Sequence, residues 1–324
     1  MPLGSEKVGL MAASAAAAGA IGNYAGGIGG NTKVIDTINI GSLGNATDHG
    51  DLDVVKSANG GCDNGTNGRG ILGGRASGVN QIDYWTIDTK GDAGDFGELS
   101  VARHYIGTVS NATNNRAIFG GGDGSPPYPA GYTGVMDYIN VTTTMTALDF
   151  GDLSSAQRTQ TSGLDNGTND RGVWMGGWTP GTESDGITYV TITSLGNAIA
   201  FGDLQDETYS TMSASNATGD RGVSAGGWEG TPVASVSNRI DVITITSLGN
   251  AVDHGNLSVV KQMGSEGADN GVDDRATFGG GNNGATAYDV IEYIAVTGTT
   301  GASDFGDLTT VTNEMTSGCS NGAT

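Results

Sequence analysis

Short runs of alternating apolar and polar residues recur along the whole chain. The clearest of them, called run C, reads IDTINI (35–40), IDYWTI (82–87), MDYINV (136–141), ITYVTI (187–192), IDVITI (240–245) and IEYIAV (291–296). Alternation with β-branched and aromatic side chains is typical of a half-buried strand. Run C therefore predicts one strand in each of six copies of a repeat.

Each copy contains three further strand-like runs. Run B ends in paired glycines such as Gly73-Gly74, run D ends in a leucine, and run A is joined to the next run B by Asn-Gly or Asn-Ala, as at Asn64-Gly65. Asn-Gly between two such runs is a strong hairpin signal. The leucines that end run D lie 47, 54, 51, 53 and 51 residues apart, at Leu52, Leu99, Leu153, Leu204, Leu257 and Leu308. A period near fifty indicates a repeat architecture, and four antiparallel strands per copy predict one blade each.

The two ends of the repeat array complement each other. The first copy begins at run B without a run A, and an additional A-like run, VTNEMTSGCSNGAT (311–324), follows Leu308. We expect this C-terminal strand to complete the first blade and to cover an open sheet edge. The sequence thus predicts an all-β, six-bladed β-propeller of four-stranded blades over residues 21–324, and an open superhelical stack is the alternative.

Composition and charge narrow the class of protein. The 324 residues include 58 glycines, which fall at fixed places in each copy, where turns require positive φ. The formal charge of −21 repels phosphate backbones and anionic membranes, so nucleic acid is not an expected partner. No apolar run reaches the roughly 18 residues of a membrane span, so membrane insertion is not expected either. Residues 1–20 lie outside the repeat and are expected to form an N-terminal arm, with a secretory signal as the alternative.

The order of the runs resembles the Kelch repeat. An apolar run with paired glycines precedes a Tyr-containing strand, an aromatic strand, and a leucine followed by arginine, as in Leu99 and Arg103. The resemblance covers residues 21–324 and implies a six-bladed propeller with run A innermost and run D outermost. Phe or His stands where a Kelch unit has a late tryptophan, and several copies lack the arginine that begins run A. These departures weaken any inference to a Kelch-adaptor function but not the expected architecture.

Repeated phrases such as GNAIAFGDL (196–204) and NGTNDRG (166–172) also resemble the glycine-rich, acidic Kelch-like repeats of tailed-bacteriophage structural proteins. This resemblance implies a non-enzymatic virion component of the tail, neck or capsid. We expect the arm, from Pro2 to Ala20, to bind other virion proteins while the propeller faces outward, with a host surface glycan as a second expected partner. The alternative is a secreted or surface carbohydrate-binding, lectin-like propeller.

Aromatic residues in loops are the expected contact residues. Trp178 and Trp228 follow the paired glycines in consecutive copies, so they are predicted to project from equivalent loops of neighbouring blades. There they would form a stacking platform for a sugar or an anchor for a protein, or else cover the ends of their own blades. Tyr128 and Tyr132 lie in a longer insert, DGSPPYPAGYT (123–133), which is a further predicted contact loop.

A basic position and two acidic positions recur in register with the repeat. Arginine begins run B at Arg69, Arg116, Arg171, Arg221 and Arg275, and the second position of run C is acidic at Asp36, Asp83, Asp137, Asp241 and Glu292. Further acidic residues recur in run D at Asp51, Asp95, Asp149 and Asp307. We interpret the arginines as forming one structural ion pair or hydrogen-bonded fork per blade, with an anion-binding ring as the alternative.

No residues form a recognisable catalytic constellation, so no enzyme and no catalytic residue are predicted. The loops DNGTND (165–170) and DNGVDD (269–274) offer oxygen donors to Ca²⁺, but hairpin turns explain them equally well, and we predict no cofactor and no metal. His49 and His254 replace Phe in run D, and His104 lies elsewhere, so no histidine cluster is expected. Cys62 and Cys319 occupy the same place in run A of two copies and are expected to be reduced, with a disulfide as the alternative.

Overall fold

The computed structural model describes residues 20–27, 33–57, 59–75, 79–124, 131–157, 163–230, 232–264, 266–313 and 317–322. The proposed arm, apart from Ala20, and Tyr128 lie outside these residues.

The described residues form thirty strands and five short 3₁₀ turns. In chain order the strands are β1 (Ile21–Ala25), β2 (Val34–Asn39), β3 (Thr47–Asp51), β4 (Gly60–Asp63), β5 (Arg69–Gly73), β6 (Gln81–Thr86), β7 (Gly94–Glu98), β8 (Arg103–His104), β9 (Gly107–Ser110), β10 (Arg116–Gly120), β11 (Asp123–Gly124), β12 (Gly131–Tyr132), β13 (Val135–Asn140), β14 (Leu148–Asp152), β15 (Gly163–Asp165), β16 (Arg171–Thr179), β17 (Thr182–Thr191), β18 (Ile199–Asp203), β19 (Thr208–Tyr209), β20 (Met212–Ser215), β21 (Arg221–Ala225), β22 (Trp228–Glu229), β23 (Ser235–Val236), β24 (Arg239–Thr244), β25 (Val252–Asn256), β26 (Ala268–Asp269), β27 (Arg275–Gly279), β28 (Tyr288–Ala295), β29 (Ser303–Thr312) and β30 (Ser317–Ser320). The 3₁₀ turns are Gly65–Asn67, Ala112–Asn114, Gly167–Asn169, Ala217–Gly219 and Gly271–Asp273.

Six four-stranded antiparallel sheets contain most of these strands. Their strand orders are β3-β2-β1-β30 (sheet 1), β7-β6-β5-β4 (sheet 2), β14-β13-β10-β9 (sheet 3), β18-β17-β16-β15 (sheet 4), β25-β24-β21-β20 (sheet 5) and β29-β28-β27-β26 (sheet 6). Two three-stranded sheets, β12-β11-β8 and β19-β22-β23, accompany sheets 3 and 5 along the chain. The prediction of an all-β chain with four-stranded antiparallel sheets is confirmed.

The C-terminal strand completes sheet 1. Strand β30 pairs with β1 in antiparallel register, from Gly22 opposite Ser320 to Ala25 opposite Ser317. Sheet 1 takes its other strands from the start of the chain, so the pairing joins the two ends of the described structure. Because the first copy lacks a run A, the sequence predicts that the C-terminal strand completes this sheet, and the pairing of β30 with β1 agrees with that prediction.

Contacts between consecutive sheets return from sheet 6 to sheet 1. We call β4, β9, β15, β20, β26 and β30 the ring strands; each contacts the next in this order, and β30 contacts β4. Backbone bonds at the other edge follow the same order: Gly91 N donates to His49 O of sheet 1, for example, and Gly44 N donates to Phe305 O of sheet 6.

The apolar core lies between neighbouring sheets. One cluster joins Ile71 and Phe96 of sheet 2 to Phe119 and Ile139 of sheet 3, and corresponding clusters occupy the other five intervals, including that between sheets 6 and 1. Each sheet therefore buries both of its faces, as packed sheets do at a separation of about 10 Å.

A glycine in the outer strand permits the close approach of the next sheet. Gly97 has φ of +146°, and a Cβ on it would lie 2.2 Å from the carbonyl oxygen of Met145 in the following turn. The strand register shifts at the same level, between Ile82 and Asp83. A bulge with glycine thus explains why Phe-Gly-Glu and its variants recur in run D.

The ends of the strands define two surfaces. The turn face carries the tight turns that join the first strand of a sheet to the second and the third to the fourth, such as 64–68 between β4 and β5 and 87–93 between β6 and β7. The loop face carries the longer loops between the second and third strands and the linkers between sheets. Ala20 and Gly322 meet on the turn face, where a Cβ on Gly322 would lie 2.7 Å from Cβ of Ala20. The chain therefore enters the described structure on the turn face.

Candidate functional site

The loop face over sheets 4 and 5 carries three aromatic residues, Trp178, Tyr209 and Trp228, which we call the aromatic cluster. Strand β16 continues to Thr179, whereas the corresponding strands of the other sheets end before the second glycine. Gly176 has φ of +70°, and the register shifts between Met175 and Gly177, so the strand bends there and resumes. This bend carries Trp178 beyond the body of sheet 4.

Tyr209 joins the two tryptophans. Its ring centre lies 4.8 Å from that of Trp178 at an interplanar angle of 82°, an edge-to-face arrangement. Tyr209 also lies opposite Trp228 in the pairing of β19 with β22. All three side chains are half-buried. Sequence reasoning identified the tryptophans but missed Tyr209, because it lies in a linker outside the four runs of the repeat.

A cavity of about 240 Å³, called the loop cavity, lies beside the aromatic cluster. Its lining is polar and acidic, and consists of Asp185, Gln205, Asp206, Glu207, Glu229, Gly230, Pro232 and Val233. Glu183, opposite Trp178 in the β16–β17 hairpin, connects the cavity to the cluster. A Cβ on Gly230 would lie 3.2 Å from the Glu183 carboxyl carbon and 3.3 Å from Oε2 of Glu207. Two carboxyl groups therefore converge at Gly230.

Arg239 balances part of this negative charge. Its guanidinium contacts Asp206 and lies 3.3 Å from Glu229 and 3.3 Å from Asp241. Burial raises the pKa of Asp241 to about 6, although Arg239 acts in the opposite direction. Among the described residues, no Lys or Arg forms an ion pair with Glu183, Asp185 or Glu207.

Tyr132 of the long insert lies in a different small sheet from Tyr209 and Trp228. Tyr132 is half-buried in β12, opposite Asp123 of the small sheet that accompanies sheet 3. His104 of the same small sheet contacts the ring of Tyr105 at 4.5 Å. Tyr128 lies outside the described residues.

Four of the five recurring arginines, for which the sequence predicted an ion pair or a hydrogen-bonded fork, donate to a carbonyl oxygen and lie over an aromatic ring. The Arg69 guanidinium lies 4.8 Å from the centre of the Tyr84 ring, and its Nη1 donates to Val141 O of the next sheet at 2.8 Å. Arg116, Arg171 and Arg275 repeat both contacts with Tyr138, Tyr189 and Tyr293 and with the carbonyls of Ile192, Ile245 and Ile40. No described ion pair involves these arginines.

Strand register explains why these arginines form hydrogen bonds and no ion pair with the acidic residues of run C. Arg69 lies opposite Thr86, whereas Asp83 lies opposite Leu72, three positions along the strand. Three positions correspond to about 10 Å, beyond the reach of an ion pair. Arg221 differs from the other four because Val242 occupies the tyrosine position in sheet 5. Arg221 and Val242 instead line a cavity of about 230 Å³.

Three of the five acidic residues of run C bind cations from the linkers between sheets, whereas Asp36 accepts from Thr309 and Asp241 lies near Arg239 of β24. The pairs are Lys56–Asp83 at 3.5 Å, Arg103–Asp137 at 2.7 Å and Lys261–Glu292 at 2.9 Å, and all six side chains are almost completely buried. Each cation lies four positions after the leucine that ends run D, which is the sequence signal for them. Burial lowers the pKa of Lys56 to about 8, against the effect of Asp83.

Side chains fill the centre of the ring strands. Only about 50 Å³ of cavity lies there, and Glu266 reaches across it. The Glu266 carboxyl accepts from Gly61 N at 2.9 Å, Thr108 N at 3.3 Å and Ser317 Oγ at 3.0 Å, so it connects sheets 1, 2 and 3. Burial raises its pKa to about 8, although these donors act in the opposite direction. The ring centre therefore leaves little room for a ligand.

The first carboxylate of each candidate calcium loop is already hydrogen-bonded. Asp165 accepts from Gly167 N at 2.9 Å and from Ser110 N at 2.8 Å, and Asp269 accepts from Gly271 N at 2.9 Å. Burial raises the pKa of Asp165 to about 7 and that of Asp269 well above its usual value. Within the described ranges, no three His, Cys, Asp or Glu side chains form a group that could hold a metal ion.

The histidines and cysteines occupy separate places. Nε2 of His49 lies 3.1 Å from Thr86 O, and Nε2 of His254 lies 3.1 Å from Ala295 O, so each contacts the following sheet. Cys62 and Cys319 are buried free thiols, with the Cys319 sulfur 3.1 Å from the carbonyl of Cys62.

No protein-family model matches the chain, and a search of curated proteins finds no match. In the part of the chain that the structure describes, no helix is long and apolar enough to span a membrane.

Proposed function

We propose that the chain is a six-bladed, Kelch-like β-propeller that serves as a non-enzymatic structural component of a tailed-phage virion. Three sets of contacts support the six-bladed arrangement: the cycle of ring strands, the backbone bonds between consecutive sheets, and the apolar clusters between sheets 6 and 1 as between all others. The Kelch-like order of the runs and the acidic, glycine-rich repeats favour the virion assignment.

The aromatic cluster is the observation that carries the proposed role. Half-buried tryptophan and tyrosine rings on adjacent sheets are typical of recognition surfaces, because they bury a large apolar area at low cost in side-chain entropy. The cluster lies on the loop face, whereas Ala20 lies on the turn face. In this proposal the arm attaches the chain to other virion proteins, and the opposite face contacts the host surface.

Particle binding tests the anchoring part of the proposal. Full-length protein and a version lacking residues 1–19 would be mixed with phage particles depleted of the chain and then co-sedimented. Ala20 is kept because its carbonyl accepts from Ile40 N at 2.9 Å. We expect full-length protein to sediment with the particles and the truncated version to remain in solution with an unchanged thermal midpoint. Equal sedimentation of both versions, or of neither, would contradict the anchoring role.

A carbohydrate-binding propeller is the second candidate. The loop cavity beside the aromatic cluster favours it, because an apolar surface next to several hydrogen-bonding groups is typical of a small-ligand site. Glycan binding by the isolated protein, without any binding to particles, would favour this candidate over the virion component.

A further inference from the structure

We infer that the aromatic cluster and the loop cavity together bind a neutral sugar ring and exclude anionic sugars. This inference rests on the proposal that the loop face is the contact surface, and it names the chemical class of the ligand. It concerns one continuous surface, since Glu183 lies opposite Trp178 on one side and meets Glu207 at Gly230 on the other.

The aromatic cluster supplies the apolar half of such a site. Trp178 and Tyr209 are in edge-to-face contact at 4.8 Å, so each ring fixes the orientation of the other. Because Trp178, Tyr209 and Trp228 are only half-buried, part of their ring surface faces solvent. A sugar ring presents a C–H face that can cover this surface while its hydroxyl groups point away.

The loop cavity supplies the polar half. Glu183, Asp185 and Glu207 have no ion-pair partner among the described residues, and Gln205 offers both an acceptor and donors. An ionised carboxylate only accepts hydrogen bonds, and neighbouring sugar hydroxyls are donors at the required spacing. The cavity of about 240 Å³ has room for one sugar ring, and its lining residues Glu207 and Glu229 lie within two positions of Tyr209 and Trp228 in the chain.

Charge decides between neutral and anionic sugars. Five acidic side chains surround the surface (Glu183, Asp185, Asp206, Glu207 and Glu229), and Arg239 is the cation found among them. Arg239 already contacts Asp206, Glu229 and Asp241, so little of its charge is left for a ligand. A uronate or a phosphorylated sugar would bring like charge against Glu183 and Glu207, which opposes its binding.

The test uses full-length protein and matched pairs of sugars. The probes are the methyl glycosides of glucose, galactose and mannose, each paired with the methyl glycoside of its uronic acid. Saturation-transfer NMR detects binding, and titration gives the affinities. We expect at least one neutral glycoside to bind, with its uronic acid about tenfold weaker or more.

Three variants localise the binding. Trp178→Ala should lower the affinity for the neutral glycoside about tenfold, since a central aromatic contact is lost. Glu207→Gln should reduce the discrimination against the uronic acid, because it removes one of the repelling charges. Tyr288→Ala is the control: Tyr288 is a half-buried tyrosine on the loop face of sheet 6, and its loss should leave affinity unchanged. Thermal midpoints verify that each variant is folded.

The inference is overturned if none of the three neutral glycosides binds the intact protein. It is equally overturned if a uronic acid binds as well as its neutral partner, or if folded Trp178→Ala retains full affinity. A protein that binds particles but no glycoside would contradict the sugar inference and leave the proposed virion role standing. A protein that binds a neutral glycoside but no particles would contradict the virion role alone.

Discussion

The turn face and the loop face differ in how faithfully they repeat. On the turn face, the same 3₁₀ turn occurs five times, and an arginine over a tyrosine ring occurs in four sheets. On the loop face of the described residues, small three-stranded sheets accompany only sheets 3 and 5, and the extended hairpin of sheet 4 contacts the second of them. The contacts that recur hold the sheets together, whereas the exceptions form the aromatic cluster and the loop cavity. In a repeat protein, a departure from the repeat is therefore a useful guide to a binding surface.

If the recurring contacts hold the sheets together, loss of a buried ion pair should lower the free energy of unfolding more than loss of an exposed one. Asp137→Asn should lower the free energy of unfolding by about 3–5 kcal/mol, because it leaves Arg103 buried without its carboxylate. Chemical denaturation measures the loss. Asp206→Asn is the matched control: Asp206 also pairs with an arginine but is 54% exposed, so about 1 kcal/mol or less is expected. Equal losses in the two variants would contradict the structural role of the buried pairs.

Glu266→Gln tests the filled ring centre. The glutamine amide group would face a backbone N–H of Gly61 or Thr108, and we expect a loss of about 1–3 kcal/mol at pH 5. The loss should shrink as pH rises from 5 to 8. Glu266 has a folded pKa of about 8 against 4.5 when unfolded, so it stabilises the wild-type fold fully below 4.5, and this stabilisation is lost as pH rises through 8.

Denaturation at several pH values measures the gap, which is the difference in the free energy of unfolding between the wild type and Glu266→Gln. Asp63 and Asp165, with pKa values raised by burial to about 6 and about 7, contribute their own slopes equally to both proteins. A gap that stays constant from pH 5 to 8.5 would show that Glu266 is not protonated in the fold.

Val242→Tyr would restore the missing ring beneath Arg221. The adjoining cavity of about 230 Å³ offers space for it, and an arginine over an aromatic ring contributes about 0.5–1 kcal/mol at such a site. We expect a gain of that size in the free energy of unfolding. Tyr84→Val in sheet 2 is the reciprocal variant, and it should lose at least as much. A loss of stability in Val242→Tyr would mean that sheet 5 cannot accommodate the ring.

Trp178→Ala should have the smallest effect on stability, although it is the largest side-chain truncation among these variants. Trp178 lies beyond the body of sheet 4 and is half-buried, so we expect a loss of about 1 kcal/mol or less. Thermal denaturation measures the change. A loss comparable with that of Asp137→Asn would assign Trp178 to the scaffold and remove the contrast between the two faces.

Much of the fold follows from local sequence patterns. Alternation in IDYWTI and the paired glycines after Leu72 predict strands and their turns, because strand periodicity and positive φ are local properties. The absence of run A before Ile21 also predicts the pairing of β30 with β1, since a repeat array must complete its first unit from elsewhere.

The partners of charged side chains could not be read from the repeat. Arg69 and Asp83 recur in register, yet they lie at different levels of the sheet, which depends on strand pairing. Lys56 lies at a fixed distance after Leu52, but the corresponding residue is a cation in only three of the six copies, and Glu266 lies in a linker of variable length. Tyr209 also lies in a linker, outside the four runs of the repeat, so the repeat pattern does not predict its position. Sequence therefore predicted the repeated strands and two of the three aromatic residues, but not the loop cavity beside them.

Binding to the host surface tests the central claim most directly. One variant replaces Trp178, Tyr209 and Trp228 with alanine, and a matched variant replaces Leu43, Leu195 and Leu248 with alanine. These leucines are about 60% exposed in the tight turns of the turn face. Fluorescently labelled proteins would be applied to the bacterial cells that the phage infects. The account predicts that the aromatic variant loses binding while the leucine variant and the wild type bind equally. Loss of binding in the leucine variant alone would contradict it and assign host contact to the turn face.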